Sequence, residues 1–211
     1  MRFVDRRDAG TRLAQRLAEV DRDEPVVLAL PRGGVPVAFE VAQVLHAPLD
    51  VVVARKIGAP FQPELGVGAI AEGGVTFFDR GALATLGLTE AELRHTVERE
   101  NAELARRVLL YRGDREPVDV TGRTVIVVDD GLATGVTAHA ALRSVRARRP
   151  AWLVLAVPVG PPDAADIIGT DADEVVVAQA PSRLAAVGQW YDDFTQTSDA
   201  TVNELLAAAR A

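Results

Sequence analysis

Apolar residues fall along this chain in short unbroken runs more often than in strict alternation. Pro25–Leu30 (PVVLAL), Leu49–Ala54, Val125–Val128 (VIVV), Trp152–Val157 and Glu174–Ala178 are the clearest. Runs of this kind predict strands buried on both faces, as in parallel sheets covered by helices. Helical spacing fills the intervals. Asp8 is placed to cap a helix to about Val20, with Leu13, Leu17 and Val20 on one face. Further helices are expected over about Val37–Leu45, from Val136 to about Arg148, and over Asp163–Ile168. The longest runs from Thr89 to about Tyr111. Thr89 and Glu92 form a capping box there, and Leu93, Val97, Leu104, Val108 and Tyr111 form a stripe for the core or a twin subunit. Strand and helix in turn predict an α/β fold with a parallel sheet flanked by helices.

Two regions leave that alternation. Ile57–Glu64, with two prolines and a glycine, reads as a loop. Leu65–Ala71 and Val75–Phe78 then flank Glu72-Gly73-Gly74 as a hairpin, and Gly113–Gly122 is a polar connector. The tail from Ala180 gathers Trp190, Tyr191 and Phe194 around Asp192 and Asp193, before Ser198 and Asp199 open a last helix. That aromatic cluster either anchors the tail or forms a lid that stacks on a planar ligand.

Composition narrows the class. The 211 residues suit one domain, 1–211, and 48% apolar content is enough for a sizeable core. Zero cysteines exclude disulfides and thiolate metal sites. No stretch approaches the roughly eighteen consecutive apolar residues of a membrane span, and the start, MRFVDRRDAG, has no apolar signal core. A soluble, cytoplasmic protein is the expectation. A net charge of −7 argues against sequence-independent nucleic-acid binding. Of 23 basic residues only Lys56 is lysine. It is either an accident of a coding bias or a place that needs a compact ammonium.

The chemistry concentrates in Val125–Thr137, VIVVDDGLATGVT. Asp129 and Asp130 follow the strand, at the carboxyl end where open α/β sheets bind ligands. Gly131 and Gly135 let the backbone turn with its N–H groups inward, Thr134 and Thr137 add hydroxyls, and the next helix presents its N-terminus. Such a turn holds a phosphate, while two carboxylates hold a polyol or a metal; a ribose 5-phosphate carries both groups. The ordinary alternative is a buried strand whose acids cap a helix. A Walker A loop is excluded, because Val136 follows Gly135 where that motif needs Lys. Pro31-Arg32-Gly33-Gly34 repeats the arrangement of strand, glycine turn and helix and offers a second anion site. Arg55-Lys56 places two cations after a further strand, where an anion would meet them.

VIVVDDGLATGVT resembles the phosphoribosyl-pyrophosphate (PRPP) signature of type I phosphoribosyltransferases. The resemblance extends over most of Arg2 to Val202, closest to an uncharacterised bacterial branch with DDGxATG and a WYxDF-like tail. It implies a type I phosphoribosyltransferase fold with a mobile flap at about 57–115 and a C-terminal hood at about 180–211. It implies that Asp129 and Asp130 bind the ribose hydroxyls and meet magnesium only indirectly, through Mg-PRPP. Gly131, Leu132, Ala133, Thr134, Gly135, Val136 and Thr137 would cradle the 5′-phosphate. Arg32, Gly33 and Gly34 resemble the family's pyrophosphate loop, with Pro31–Arg32 the candidate cis peptide. Arg55 and Lys56 resemble basic residues that contact pyrophosphate in the adenine and orotate enzymes. Arg32, Lys56, Asp129 and Asp130 would be the catalytic set.

Val187-Gly188-x-x-Tyr191-Asp192 loosely resembles the hood of 6-oxopurine enzymes, so Trp190, Tyr191 and Asp192 are the expected acceptor site. The resemblance further implies Mg²⁺ with PRPP, a homodimer and a part in nucleotide salvage. The implied reaction transfers ribose 5-phosphate to a nitrogen acceptor with release of pyrophosphate. The rival reading is a non-catalytic PRPP or nucleotide sensor of the same fold. Two departures leave the acceptor open. Ala133 stands where the 6-oxopurine enzymes carry an acid proposed as general base, and the tail has no lysine.

Overall fold

The computed structural model describes residues 2–19 and 24–210. Helix α1, Arg6–Ala18, is followed by β1, Val26–Ala29, helix α2, Gly34–Leu45, and β2, Leu49–Val51. Three strands come next: β3, Ala54–Ala59, β4, Gln62–Ala71, and β5, Val75–Phe78. Helices α3, Arg80–Leu86, and α4, Arg94–Arg112, lead to β6, Thr124–Val128, and α5, Val136–Arg146. The chain closes with β7, Trp152–Val159, α6, Ala164–Ile168, β8, Glu174–Gln179, and α7, Asp199–Ala208.

The main sheet is parallel, in the order β2-β1-β6-β7-β8. Its central strands are apolar on both faces and alternate between two cores. Val27, Ala29, Ile126 and Val128 point into the side covered by α1, α2 and α7. Val26, Leu28, Val125 and Val127 point into the side covered by α5 and α6. The unbroken valine runs follow from that double burial. A smaller antiparallel sheet, β3-β4-β5, packs over α5.

Several expectations about elements are corrected. The cap of α1 is Asp5, whose side chain accepts from the N–H groups of Arg7 and Asp8. Asp8 sits in the first turn and accepts from the N–H of Val4, the residue before the cap. The expected Val20 end of this helix lies outside the described residues. Helix α2 begins at Gly34, three residues before Val37, and takes Pro36 in its first turn, where no N–H is needed.

The run Leu49–Ala54 divides, because the main-sheet strand stops at Val51 and the chain crosses to the second sheet at Ala54. Ile57–Glu64 is therefore mostly paired strand. Its glycine and prolines fit there through register shifts next to Gly58, where a Cβ would lie 2.2 Å from the Pro63 carbonyl. The long helix starts at Arg94 although the Thr89–Glu92 box does form, with the Thr89 N–H donating to Glu92 at 2.8 Å.

The expected hairpin turn at Glu72-Gly73-Gly74 forms, with positive φ at both glycines. It is pinned at its base. Arg112, buried on α4, donates to Glu72 at 2.6 Å and to the Val51 carbonyl at 2.7 Å. Glu72 in turn accepts from the Val53 N–H, and its carbonyl takes the Ser144 hydroxyl. The other end of this sheet, the turn between β3 and β4 with Phe61 exposed, overhangs the carboxyl end of the main sheet.

The tail is tied to the N-terminus. Phe3 and Tyr191 form a parallel bridge, with the Phe3 N–H on the Trp190 carbonyl and the Asp192 N–H on the Phe3 carbonyl, both at 2.8 Å. This pairing brings the start of α1 beside the ends of β1 and β6.

Candidate functional site

Strands β1 and β6 end in register, Ala29 against Val128, so both following turns open on one spot. The turn after β6 carries Asp129 and Asp130. It continues through Gly131–Thr134 to Gly135, which takes φ +79° before α5. No side chain caps α5, so its first N–H donors face outward unsatisfied. A cavity of about 310 Å³ lies against them, lined by Asp129, the whole 131–138 stretch, Lys56 and Glu64. The seven residues Gly131–Thr137 form one wall of it.

The turn after β1 holds Arg32, Gly33 and Gly34, and Pro31–Arg32 is the cis peptide expected by resemblance. Helix α2 also starts without a side-chain cap. A Cβ on Gly33 would fall 1.9 Å from Asp130 Oδ2, and one on Gly34 would fall 2.6 Å from the Val128 carbonyl. Both glycines are needed for close approach between the two turns. Their shared cavity of about 530 Å³ has Asp130, Gly33, Arg32 and Phe194 in its lining, with Arg6, Arg55 and Arg107 around them.

The two acids are partly buried. Burial raises the Asp129 carboxyl well above its usual range, and the adjacent Asp130 charge raises it further. Burial also raises Asp130, and the guanidinium of Arg6 pulls it back. The Asp130 N–H donates to Asp129 Oδ1 at 2.8 Å. Tyr191, itself pushed up by burial, donates its hydroxyl to the Asp130 carbonyl at 2.6 Å.

Arg55 and Lys56 do not end a main-sheet strand as expected. They lie on β3, where both line a cavity of about 530 Å³ with Glu64 and Glu100, and the pleat gives each a different second cavity. Lys56 reaches the first cavity, with Nζ 2.8 Å from the Glu64 carbonyl and 3.2 Å from Glu64 Oε2. Gly66 leaves room for its stem, since a Cβ there would touch Lys56 and Val136. Arg55 turns to the second cavity and forks onto Glu100 Oε2 of α4 at 3.0 and 2.7 Å. Arg32 faces Asp199 at 3.7 Å.

Of the expected acceptor residues, none lines either cavity. Tyr191 is buried, Asp192 is exposed near Arg2, and Trp190 packs beside Val187 and Val159. Phe194 is the tail residue at the cavity, because the bridge to Phe3 turns Tyr191 inward. Arg6 and Arg107 went unmarked in the sequence. Arg6 meets Asp130 from 124 positions away, so no local spacing points to it.

Among the described residues, no group of three or more His, Asp or Glu side chains could hold a metal ion. The two acids offer hard carboxylate oxygens of the kind that suit Mg²⁺, too few on their own to complete its coordination. Among those residues, too, no helix is long and apolar enough to cross a membrane.

A parallel α/β sheet whose central strand ends in a paired-acid, glycine-rich turn defines the class. Residues 5–181 match the family model described as the phosphoribosyl transferase domain, and the chain belongs to that family. A Mycobacterium tuberculosis H37Rv protein, provisionally named a phosphoribosyl transferase, is 49% identical over 207 residues, covering 98% of this chain and 47% of its own length. The chain thus spans about half the length of the curated relatives it matches. The crystal structure of TT1426 from Thermus thermophilus aligns over 99% of both chains, with a TM-score of 0.81 and 43% identity. A Neisseria gonorrhoeae protein solved with bound ppGpp shares the fold, with a TM-score of 0.55, 13% identity and coverage of 100% of this chain and 99% of that one.

Proposed function

We propose that this chain transfers ribose 5-phosphate from Mg-PRPP to a nitrogenous base or related acceptor, releasing pyrophosphate. One observation carries the reading. Two glycine turns and two uncapped helix starts converge on a pair of partly buried carboxylates, with a lysine facing the larger loop.

In this reading Asp129 and Asp130 accept hydrogen bonds from the ribose hydroxyls. Gly131 to Thr137 enclose the 5′-phosphate with backbone N–H groups and the hydroxyls of Thr134 and Thr137. Arg32, Gly33, Gly34, Arg55 and Lys56 receive the pyrophosphate. Magnesium, carried in with PRPP beside Asp129 and Asp130, would supply charge neutralisation for the pyrophosphate. Lys56 reaches it by exchanging Glu64 for a phosphate oxygen, since Glu64 is almost fully exposed and yields at little cost.

As the ribose C–O bond breaks, its electron pair leaves with pyrophosphate and positive charge develops on the ribose, while the acceptor nitrogen bonds the same carbon; the protein's work is positioning and stabilising the leaving group. By resemblance Ala133 stands where the 6-oxopurine enzymes carry an acid, so that position offers no general base and the acceptor nitrogen must be nucleophilic without one. The acceptor site is proposed at the cavity beside Phe194, in place of Trp190, Tyr191 and Asp192. A homodimer belongs to the same reading, supported by Leu109 and Leu110 exposed on α4. Cytoplasmic location and a salvage role follow from the substrate.

A panel of bases with Mg-PRPP, assayed for released pyrophosphate, tests the proposal. Turnover with one base class supports it. Tight Mg-PRPP binding without pyrophosphate release on any acceptor favours the sensor. No Mg-PRPP binding refutes both.

A further inference from the structure

We infer that Arg6 is the positioning residue of this site: it fixes the Asp130 carboxylate for ligand hydroxyls and makes that placement depend on the C-terminal tail. The inference rests on the reading of Asp130 as a ribose acceptor. Its geometry stands on the ligand-free chain.

Arg6 sits at the first turn of α1 with its side chain 11% exposed. Its Nε donates to Asp130 Oδ2 at 2.8 Å, and its Nη1 donates to the Thr195 carbonyl at 2.8 Å. The guanidinium carbon lies 3.9 Å from the centre of the Phe194 ring. Phe194 in turn leans on Tyr191, with centroids 4.9 Å apart, and presses on Gly188, where a Cβ would lie 2.7 Å from its ring. One planar fork therefore touches the acid and the tail at once.

Asp130 has little freedom to move otherwise. Gly33 closes one side of Oδ2 and Arg6 the other, while Tyr191 holds its carbonyl. The charged groups around it are Asp129 after β6, Arg32 before α2, Arg55 on β3 and Arg107 on α4. Arg55 is forked onto Glu100, Arg107 is paired with Glu103, and Arg32 is nearest Asp199. Arg6 alone of these cations hydrogen-bonds Asp130 among the described residues. A lysine could supply the charge. It could not also reach Thr195 and lie flat on Phe194. The aromatic tail thus has work before any acceptor arrives: it clamps the guanidinium that orients the acid.

Two measurements test this. The first is Mg-PRPP affinity by calorimetry for wild type, Arg6→Met, Phe194→Leu and the double variant. Loss of one charge-assisted orientation predicts a fall of about 10- to 100-fold for Arg6→Met. Phe194→Leu should weaken binding when Arg6 is present and have no further effect in the Arg6→Met background. Independent losses that multiply would overturn the inference, because the clamp requires Phe194 to act on binding only through Arg6. If Arg6→Met does not fold, Arg6→Lys replaces it in the same cycle, with the same non-additivity expected.

The second measurement needs no ligand. The Arg6 Nε–H proton, followed by NMR, should be protected from exchange and shifted by the Phe194 ring, and Asp130→Asn should remove the protection. A freely exchanging proton in wild type would refute the clamp. A wild-type chain that fails to bind Mg-PRPP would overturn the proposed function, and this proton would still decide the inference.

Discussion

Gly33 and Gly34 are neighbours with opposite duties, and alanine at each should separate binding from stability. Gly33 has φ −61° and ψ −34°, a conformation alanine adopts freely. Replacing glycine there restricts the unfolded chain and favours folding by about 0.4–1 kcal/mol. The new methyl, however, lies 1.9 Å from Asp130 Oδ2 and 2.6 Å from its Cγ. The carboxylate must swing away, which breaks its 2.8 Å bond to Arg6. Hydrogen bonds from ribose to a charged acceptor contribute about 1.5–3 kcal/mol each, so Mg-PRPP affinity should fall about 10- to 150-fold. The melting temperature should change little, since the lost ion pair and the gain in the unfolded state offset one another.

Gly34→Ala meets backbone instead, 2.6 Å from the Val128 carbonyl and 3.0 Å from Asp129 Cα. Strand β6 is central and cannot give way, so overpacking should cost about 1–3 kcal/mol or more. Calorimetry of Mg-PRPP binding and thermal unfolding of both variants form the assay. Inorganic pyrophosphate, which lacks the ribose, should bind Gly33→Ala nearly as it binds wild type. Wild-type affinity for Mg-PRPP in Gly33→Ala, or an equal drop in melting temperature for both variants, would refute the reasoning.

Three other outcomes are expected. Asp129→Asn should stabilise the chain at neutral pH while weakening Mg-PRPP binding, because burial and the Asp130 charge raise the carboxyl in the folded state. A raised acid binds protons more tightly folded than unfolded, so wild-type stability falls as pH climbs from the unfolded carboxylate range through the folded one. The variant's advantage in thermal unfolding should therefore vanish at acid pH; an advantage that persists there would point to packing. Lys56→Arg should lower turnover on the order of a hundredfold although charge is kept, if its contact acts mainly in the transition state; wild-type rates would make Lys56 an accident of composition. In Trp152→Phe, fluorescence of Trp190 should stay nearly unchanged on adding an acceptor base, because Trp190 packs beside Val187 and Val159 and lines neither cavity; a large response to a base would return it to the acceptor side. Trp152 is a safe deletion because it starts β7, at the end of the sheet away from the site.

The sequence by itself determined the main sheet and half of the site. Runs such as VIVV and VVLA can be satisfied only by burial on both faces, so they specify parallel strands without help from elsewhere. The anion loop is equally local. Its glycines, hydroxyls and helix start are consecutive from Gly131 to Thr137, and their chemistry is set by backbone geometry over a few residues. Only the tertiary structure decided what surrounds the acids. The pleat of β3 gives Arg55 and Lys56 different second cavities beyond the one they share, and the register of that strand depends on pairing with β4. The Phe3–Tyr191 bridge brings Phe194 to the cavity and turns Tyr191 away, which no feature of the tail alone requires. Arg6 reaches Asp130 because two ends of the chain meet over the sheet. A contact spanning 124 positions is set by how helices and strands pack, not by the spacing of residues along either segment.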